Sequence, residues 1–146
     1  VLDSPCQGVR VGCPSDDTVR NAVFRDISFH GNNAISSDQP KRYLESKDGG
    51  FFRCSDILFE NWKIDCWGHP VILAVEKDIN LRDFGGFTFR NIEVKSGRPF
   101  RVMGSSTVKV HDVRFENVRG LLASERPFDV MNVKNLSCDR VNLSNR

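Results

Sequence analysis

The chain has 146 residues, 39% hydrophobic and 27% charged, which is enough to bury a core, and a single domain over residues 1–146 is predicted. Its 21 basic and 19 acidic side chains nearly balance, which argues against a nucleic-acid partner. No apolar run approaches the roughly 18 residues of a membrane span, so no membrane partner is expected either.

The cysteines and the acidic residues do not form patterns typical of metal sites. The five cysteines are widely spaced, at Cys6, Cys13, Cys54, Cys66 and Cys138. They contain no C-x-x-C pair, so zinc is not expected, and an odd number fits a disulfide framework poorly. Buried thiols are therefore predicted. The acids are scattered rather than clustered as a calcium site requires, and no phosphate-binding glycine loop is present. We expect no metal and no cofactor.

In chain order, the first predicted elements are a short strand at residues 8–13 and a turn that contains the adjacent acids Asp16 and Asp17. A nine-residue phrase of alternating apolar and polar residues then occurs five times, at residues 19–27, 54–62, 84–92, 110–118 and 133–141. Further short strands are predicted between the copies, at residues 33–38, 70–76, 99–105 and 120–124. Insertions follow the first two of these, at residues 39–53 and 77–83.

Three positions of the phrase carry similar residues in nearly every copy. The third is Asn21, Asp56, Gly86, Asp112 and Asn135; the sixth is Phe24, Phe59, Phe89, Phe115 and Cys138; the eighth is Asp26, Asn61, Asn91, Asn117 and Arg140. In stacked strands, equivalent residues lie about 4.8 Å apart. The sixth positions are therefore predicted to form a buried aromatic column. The Asn and Asp residues are predicted to lie at turns and to bridge backbone groups of successive strands.

The spacing of the copies predicts the fold. Successive sixth positions are separated by 35, 30, 26 and 23 residues, and self-similarity at such intervals is typical of a solenoid. The phrase is strand-like, and the leucine lattice of a leucine-rich repeat is missing. We therefore predict an all-β fold, a right-handed single-stranded parallel β-helix of about five coils, with the longer intervals explained by loop insertions.

The stretch QGVRVGCPSDDTVRNAVFRDISFHGNNAIS, with GGFTFRNIEVKSGRPF and VHDVRFENV further on, resembles the later coils of pectin-degrading β-helix enzymes of glycoside hydrolase family 28, the polygalacturonase-like family. The resemblance extends over most of the chain in spacing as well as in residue type. It implies a carbohydrate-active hydrolase that acts on a pectic or other acidic polysaccharide. It also implies a secreted or periplasmic protein.

Several positions depart from the family pattern. The family's catalytic acids, in an Asn-x-Asp motif and an Asp-Asp pair, precede the coils that this chain resembles. The family's histidine would fall at Gln7, and its [RK]-I-K strand would fall at Ala34, Ile35 and Ser36, where neither cation is present. We therefore expect the chain to be the C-terminal part of a longer β-helix, with its catalytic acids in an upstream segment or in another chain.

Candidate site residues follow from the chemistry that such a substrate needs. Glycoside hydrolysis uses two carboxyl groups roughly 5–10 Å apart, and Asp16 and Asp17 form the only adjacent acidic pair. The alternative is that both make local hydrogen bonds in a turn. The substrate-binding candidates are Gln7, Arg10, Arg42, Tyr43, His69, Glu76, Arg98 and Arg101.

Lys41, Arg42 and Tyr43 lie in the longest predicted loop and are expected to form a mobile contact with substrate. Most of the other binding candidates rest on two predictions. Stacking is expected to bring Arg10, Ser36, Glu76 and Arg101 to one outward face, where arginines could hold the carboxylates of a uronic-acid polymer. His69 could line a sugar subsite with Trp67 and Tyr43. The alternatives are a solvated ladder of paired charges and a histidine that closes a turn. His30 and His111 are predicted to be structural.

Two other functions remain open from the sequence. The first is a stand-alone β-helix that binds glycan or protein without catalysis, and the second is a structural segment of a spike or adhesin. Because an open solenoid end exposes strand edges and core, association with upstream coils or with a second copy is also expected.

Overall fold

The computed structural model describes residues 1–12, 17–40 and 52–145. Regular structure in these residues is entirely β. The strands are β1 (Leu2–Arg10), β2 (Thr18–Gln39), β3 (Arg53–Cys66), β4 (Val71–Val75), β5 (Asp83–Ser96), β6 (Phe100–Met103), β7 (Val110–Leu122), β8 (Phe128–Met131) and β9 (Val133–Asn145). The described residues contain no helix that is long and apolar enough to cross a bilayer.

The strands form two parallel ladders that share β2. In the long-strand ladder, β2, β3, β5, β7 and β9 pair in that order, and in the short-strand ladder β2 is followed by β4, β6 and β8. β2 belongs to both because it is 22 residues long, and β1 pairs with it. The sheet wraps into a nearly closed, solenoid-like arrangement, so the predicted all-β parallel solenoid is confirmed at that level.

The register of the long-strand ladder superimposes the five copies of the phrase. Phe24, Phe59, Phe89, Phe115 and Cys138 are partners in successive strands. The phenylalanine rings stack at centroid distances of 5.1, 5.1 and 4.9 Å. From the short-strand ladder, Phe100 and Phe128 pack edge-on against Phe115, at 5.3 and 5.1 Å. The predicted aromatic column is therefore the centre of the core.

The third and eighth positions of the phrase bend the long strands. All ten have φ between 49° and 67°, a left-handed conformation that Asn, Asp and Gly adopt at little cost. At the eighth position the Nδ2 groups of Asn61, Asn91 and Asn117 each donate to the side-chain Oδ1 of the preceding copy, at 3.0, 3.0 and 2.8 Å, and the first acceptor is Asp26. The predicted turn column is correct, but these bonds link side chain to side chain rather than to backbone.

Two expectations from the sequence are wrong. Residues 120–124 do not form the fourth short strand, because Gly120 to Leu122 continue β7 and the fourth short strand is β8. Not every thiol is buried either: Cys54 and Cys66 are, whereas Cys6 and Cys138 are exposed, and Cys13 lies outside the described residues. Burial raises the pKa of Cys54 to about 12, with Asp83 adding to the effect, so this thiol is inert at neutral pH.

Candidate functional site

One column runs along the short-strand ladder and its neighbour β1, at the positions where alternation predicts outward side chains. Register places Arg10, Ser36, Ile72, Arg101 and Asp129 on successive strands. Arg101 is exposed between the fully buried Phe100 and Val102, as the alternation predicts. Ser36 does not reach the surface, since it is 1% exposed and its Oγ donates to Gln7 Oε1 at 2.9 Å.

A second column lies three residues earlier, in the turns that lead into the short strands. Ser96 Oγ donates to the backbone oxygen of Arg98 at 2.7 Å, and Ser124 Oγ donates to that of Arg126 at 2.8 Å. These two turns have the same geometry, and each is followed by proline. They therefore hold Arg98 and Arg126 at equivalent places just before β6 and β8. We call each step from one strand to the next in the stack a level, so these two arginines lie on neighbouring levels.

His69 occupies the same place one level before Arg98. Its backbone N–H donates to Asn33 Oδ1 at 2.8 Å, and its Nδ1 lies 2.7 Å from the backbone oxygen of Pro99. Because a carbonyl oxygen can only accept, Nδ1 carries the proton. Burial lowers the pKa of His69, and the charges of Arg101 and Arg98 lower it further against the opposing Pro99 bond. The imidazole is therefore neutral at neutral pH, with Nε2 as a hydrogen-bond acceptor.

Among the described residues, Arg101 has one ion-pair partner, and the contact is loose. Its Nε lies 3.6 Å from Asp129 Oδ2, and the two side chains are 44% and 48% exposed. Such a surface pair contributes little free energy, so another carboxylate can replace Asp129 at small cost. A cavity of about 540 Å³ adjoins the pair and is lined in part by Pro99, Glu125 and Arg126. We call the set His69, Arg98, Arg101, Arg126 and Asp129 the arginine face.

The other candidates lie around this face or apart from it. Gln7 and Arg10 belong to the same two columns at the β1 end, where Gln7 pairs with Asn33 and Arg10 with Ser36. Glu76 follows β4, beside Gln39, and Ile72 takes the place in the column that Glu76 was expected to fill. Asp16, Arg42 and Tyr43 lie outside the described residues.

Asp17 lies at the start of the long-strand ladder. Its Oδ1 accepts a hydrogen bond from the backbone N–H of Thr18 at 2.7 Å, and its backbone oxygen accepts from Arg53 N at 3.2 Å. These contacts fit the turn-forming alternative for the acidic pair.

An exposed tryptophan precedes His69 by two residues. Trp67 is 54% exposed, and its ring packs edge-on against His30 at 5.8 Å. His30 in turn lies 3.4 Å from Asp3. An accessible indole beside polar groups is a suitable surface for the apolar face of a sugar.

Sequence reasoning missed Arg126 and Asp129. The segments SGRPFRVM and SERPFDVM, at residues 96–103 and 124–131, share the order Ser-x-Arg-Pro-Phe-x-Val-Met. That second repeat was the available signal, and it would also have located β8. Its fifth position is a core phenylalanine in both copies, whereas its sixth changes from Arg101 to Asp129.

The arginine face thus offers guanidinium groups, one neutral imidazole and an exchangeable ion pair beside a cavity. Arginine binds carboxylates through paired N–H groups, so this set suits a ligand that carries negative charge and hydroxyl groups. The described residues hold no cluster of three His, Cys, Asp or Glu side chains arranged for a metal ion.

Comparison with known proteins gives no relative: no family model, no curated protein and no solved structure matches this chain.

Proposed function

We propose that the arginine face binds an acidic polysaccharide such as a pectic chain, and that this is the main activity of the described residues. The observation that carries the proposal is the position of Arg98 and Arg101 on one level and Arg126 on the next, with a loosely paired Asp129 beside Arg101. Levels about 4.8 Å apart offer repeated cationic contacts to a polymer with repeated carboxylates.

The neutral His69 supports the same proposal. Its Nε2 can accept a bond from a sugar hydroxyl while the arginines hold a carboxylate. Arg98, Arg101 and Asp129 all act on this imidazole. A bound uronate would add a negative charge close to it and thereby raise its pKa. Binding should therefore tighten as the pH falls towards the pKa of His69, because the protonated Nε2 then donates to the carboxylate instead of accepting from a hydroxyl.

We further propose that the chain is part of a right-handed parallel β-helix of about five coils, in a secreted or periplasmic polygalacturonase-like hydrolase. The repeated phrase and its parallel register support this assignment. In such an enzyme the present residues would contact substrate, while the catalytic acids would lie upstream.

Binding is tested by calorimetric titration of the 146-residue chain with oligogalacturonates and with their methyl-esterified forms. We expect binding of the acidic oligomers only, and at least a tenfold loss in Arg101→Gln and in Arg98→Gln. Arg119→Gln is the matched control, because Arg119 is exposed on the long-strand ladder and 3.5 Å from Glu93. Equal binding of both ligand forms, or equal loss in the control, would contradict the proposal.

The hydrolase assignment needs a separate measurement. Polygalacturonate is incubated with the chain, and new reducing ends are counted beside Asp16→Asn and Asp17→Asn. We expect no release from the chain alone. Release that disappears in either variant would instead make it a self-contained hydrolase.

One observation favours a second function, association with another protein or with further coils. Val130 and Met131 at the end of the short-strand ladder are 42% and 50% exposed. Leu136 and Leu143 in β9 are only partly buried. Apolar side chains on edge strands are typical of association surfaces. Light scattering over a concentration series tests this: a monomer at all concentrations would exclude self-association.

A further inference from the structure

A second groove lies on the long-strand ladder, on residues that belong to neither the arginine face nor the aromatic column. Its volume is about 620 Å³, within the range of small-ligand sites. It crosses β3, β5, β7 and β9, so it runs along the stacking direction over three strand spacings, about 14 Å.

The groove exists because one level of the third-position column has no side chain. Gly86 stands where the neighbouring levels carry Asp56 and Asp112. A Cβ on Gly86 would lie 2.7 Å from the backbone nitrogen of Asp56, so the close approach of the chains keeps this level empty. The two aspartates therefore flank a gap, about 10 Å apart at their backbones.

Asp112 is fixed beside this gap. Its Oδ1 accepts from Asn135 Nδ2 at 2.8 Å, and its Oδ2 lies 2.8 Å from His111 Nδ1. His111 Nε2 is also 2.6 Å from Asp83 Oδ1. The bonds to Asn135 and His111 lower the pKa of Asp112, so its carboxylate stays ionised and acts as an acceptor rather than as an acid.

Donors and hydroxyl groups line the opposite wall. Arg114 is 62% exposed and only 3.5 Å from Glu116, so its guanidinium can reach a ligand. Arg90 is held more firmly, at 2.7 Å from Glu116 and 3.4 Å from Glu60. Thr88 lies on β5 between Gly86 and Arg90, and Leu58 and Leu136 supply an apolar floor.

This lining has balanced charge, which distinguishes it from the arginine face. The lining itself carries two aspartates and two arginines. Because Glu60 and Glu116 lie beside the lining and pair with the arginines, the groove and its surroundings together carry more negative than positive charge and would repel a polyanion. A neutral polyhydroxyl ligand fits, because each hydroxyl can donate to a carboxylate and accept from a guanidinium or from Thr88. The C–H faces of a sugar ring would rest on the apolar floor.

We propose that this groove is a second carbohydrate site, which takes a short neutral oligosaccharide lying along the stacking direction. It is independent of acidic-polymer binding at the arginine face, and either site can exist without the other.

The test titrates the 146-residue chain with three uncharged probes: cellotetraose, galactotetraose and arabinotetraose. Chemical-shift changes are followed in an isotope-labelled sample. We expect one probe to bind with shifts at Thr88 and Gly86, and Asp56→Asn and Thr88→Val to weaken it at least tenfold. Asparagine keeps the left-handed φ of 56° at position 56, and valine keeps the shape of threonine, so both variants should fold.

Arg101→Gln is the matched control, since it weakens acidic oligomers in the first proposal and should leave the neutral probe unaffected. Shifts confined to the arginine face, unchanged affinity in both groove variants, or no binding of any probe at millimolar concentration would overturn the proposal. Far-UV circular dichroism and thermal unfolding verify that each variant is folded.

Discussion

The two ladders of this molecule differ in how far equivalent positions carry the same residue type. On the long-strand ladder, the third, sixth and eighth positions of the phrase repeat similar residue types. Side chains at these positions bond or stack with one another, as in Phe59 on Phe89 and Asn61 on Asn91. On the short-strand ladder, the outward position changes at every level, from Arg10 through Ile72 to Arg101 and Asp129. The repeated Phe and Asn side chains hold the levels of the long-strand ladder together, whereas the arginine face combines a repeated position, Arg98 and Arg126, with one that changes, Arg101 and Asp129.

The same contrast occurs within the long-strand ladder. At the third position, Asp112 and Asn135 bond to each other across levels. Where it becomes Gly86, the column is interrupted and a groove opens. In the long-strand ladder, the break in the repeat at Gly86 therefore marks the candidate groove.

The largest effect is expected when one side chain of the aromatic column is shortened. Phe89→Ala removes a fully buried ring that stacks on both Phe59 and Phe115, and we expect a loss of about 3–5 kcal/mol in the free energy of unfolding. Urea unfolding followed by fluorescence measures it. Phe24→Ala is the control at the partly buried end of the column and should cost clearly less. Equal costs would mean that the column is not the centre of stability.

A smaller effect is expected from the asparagine column. Asn91→Ala removes one donated and one accepted hydrogen bond and places alanine at φ 55°, for an expected loss of about 2 kcal/mol. Asn91→Gly retains the backbone freedom and loses only the amide. The difference between the two variants separates backbone strain from hydrogen bonding, and the idea fails if Asn91→Ala unfolds at the same urea concentration as the parent chain.

His111 should make stability depend on pH in one direction. Burial opposes its protonation, but the bonds to Asp83 and Asp112 outweigh burial and raise its pKa above about 6.5. The folded state thus holds the proton more tightly than the unfolded state. The contribution of protonated His111 to the free energy of unfolding is complete below about pH 6.5 and is lost as the pH rises through the pKa of the folded state. Unfolding free energies of the parent chain and of His111→Gln, measured between about pH 5 and 8, should diverge most at low pH.

His69 should act in the opposite direction, since burial and the two arginines lower its pKa against the opposing bond to the Pro99 carbonyl. Its folded pKa is lowered, so its contribution is complete above about pH 6.5 and is lost as the pH falls towards the folded pKa. In the same titration, His69→Gln should flatten the low-pH decline. A decline that steepens instead would place a protonated imidazole in the folded chain.

The sequence predicted the parts of the fold that depend on repeated chemistry. Phe24, Phe59, Phe89 and Phe115 showed the core, and Asp26 with the three asparagines at the same position showed the bends, because an aromatic column and left-handed corners each accept few residue types. The fourth short strand was missed, since Leu121 and Leu122 gave an apolar signal that belongs to the end of β7.

The candidate sites could be predicted only in part. Arg98, Arg101 and His69 were identified by residue type, but their alignment with Arg126 and Asp129 was not. Each level contains a different number of residues, so residues at equivalent places in two turns cannot be matched by counting along the sequence. Ser36 was placed outward by alternation, but it is buried and bonded to Gln7.

The sequence by itself determined that this chain stacks parallel strands around a phenylalanine column, because strand alternation and repeated side chains are local properties of the chain. The tertiary structure alone decided which charges meet on the arginine face and where Gly86 opens a groove. Both depend on the register between strands that are some 23 to 36 residues apart, and that register is fixed by packing and hydrogen bonding across levels rather than by neighbours in sequence.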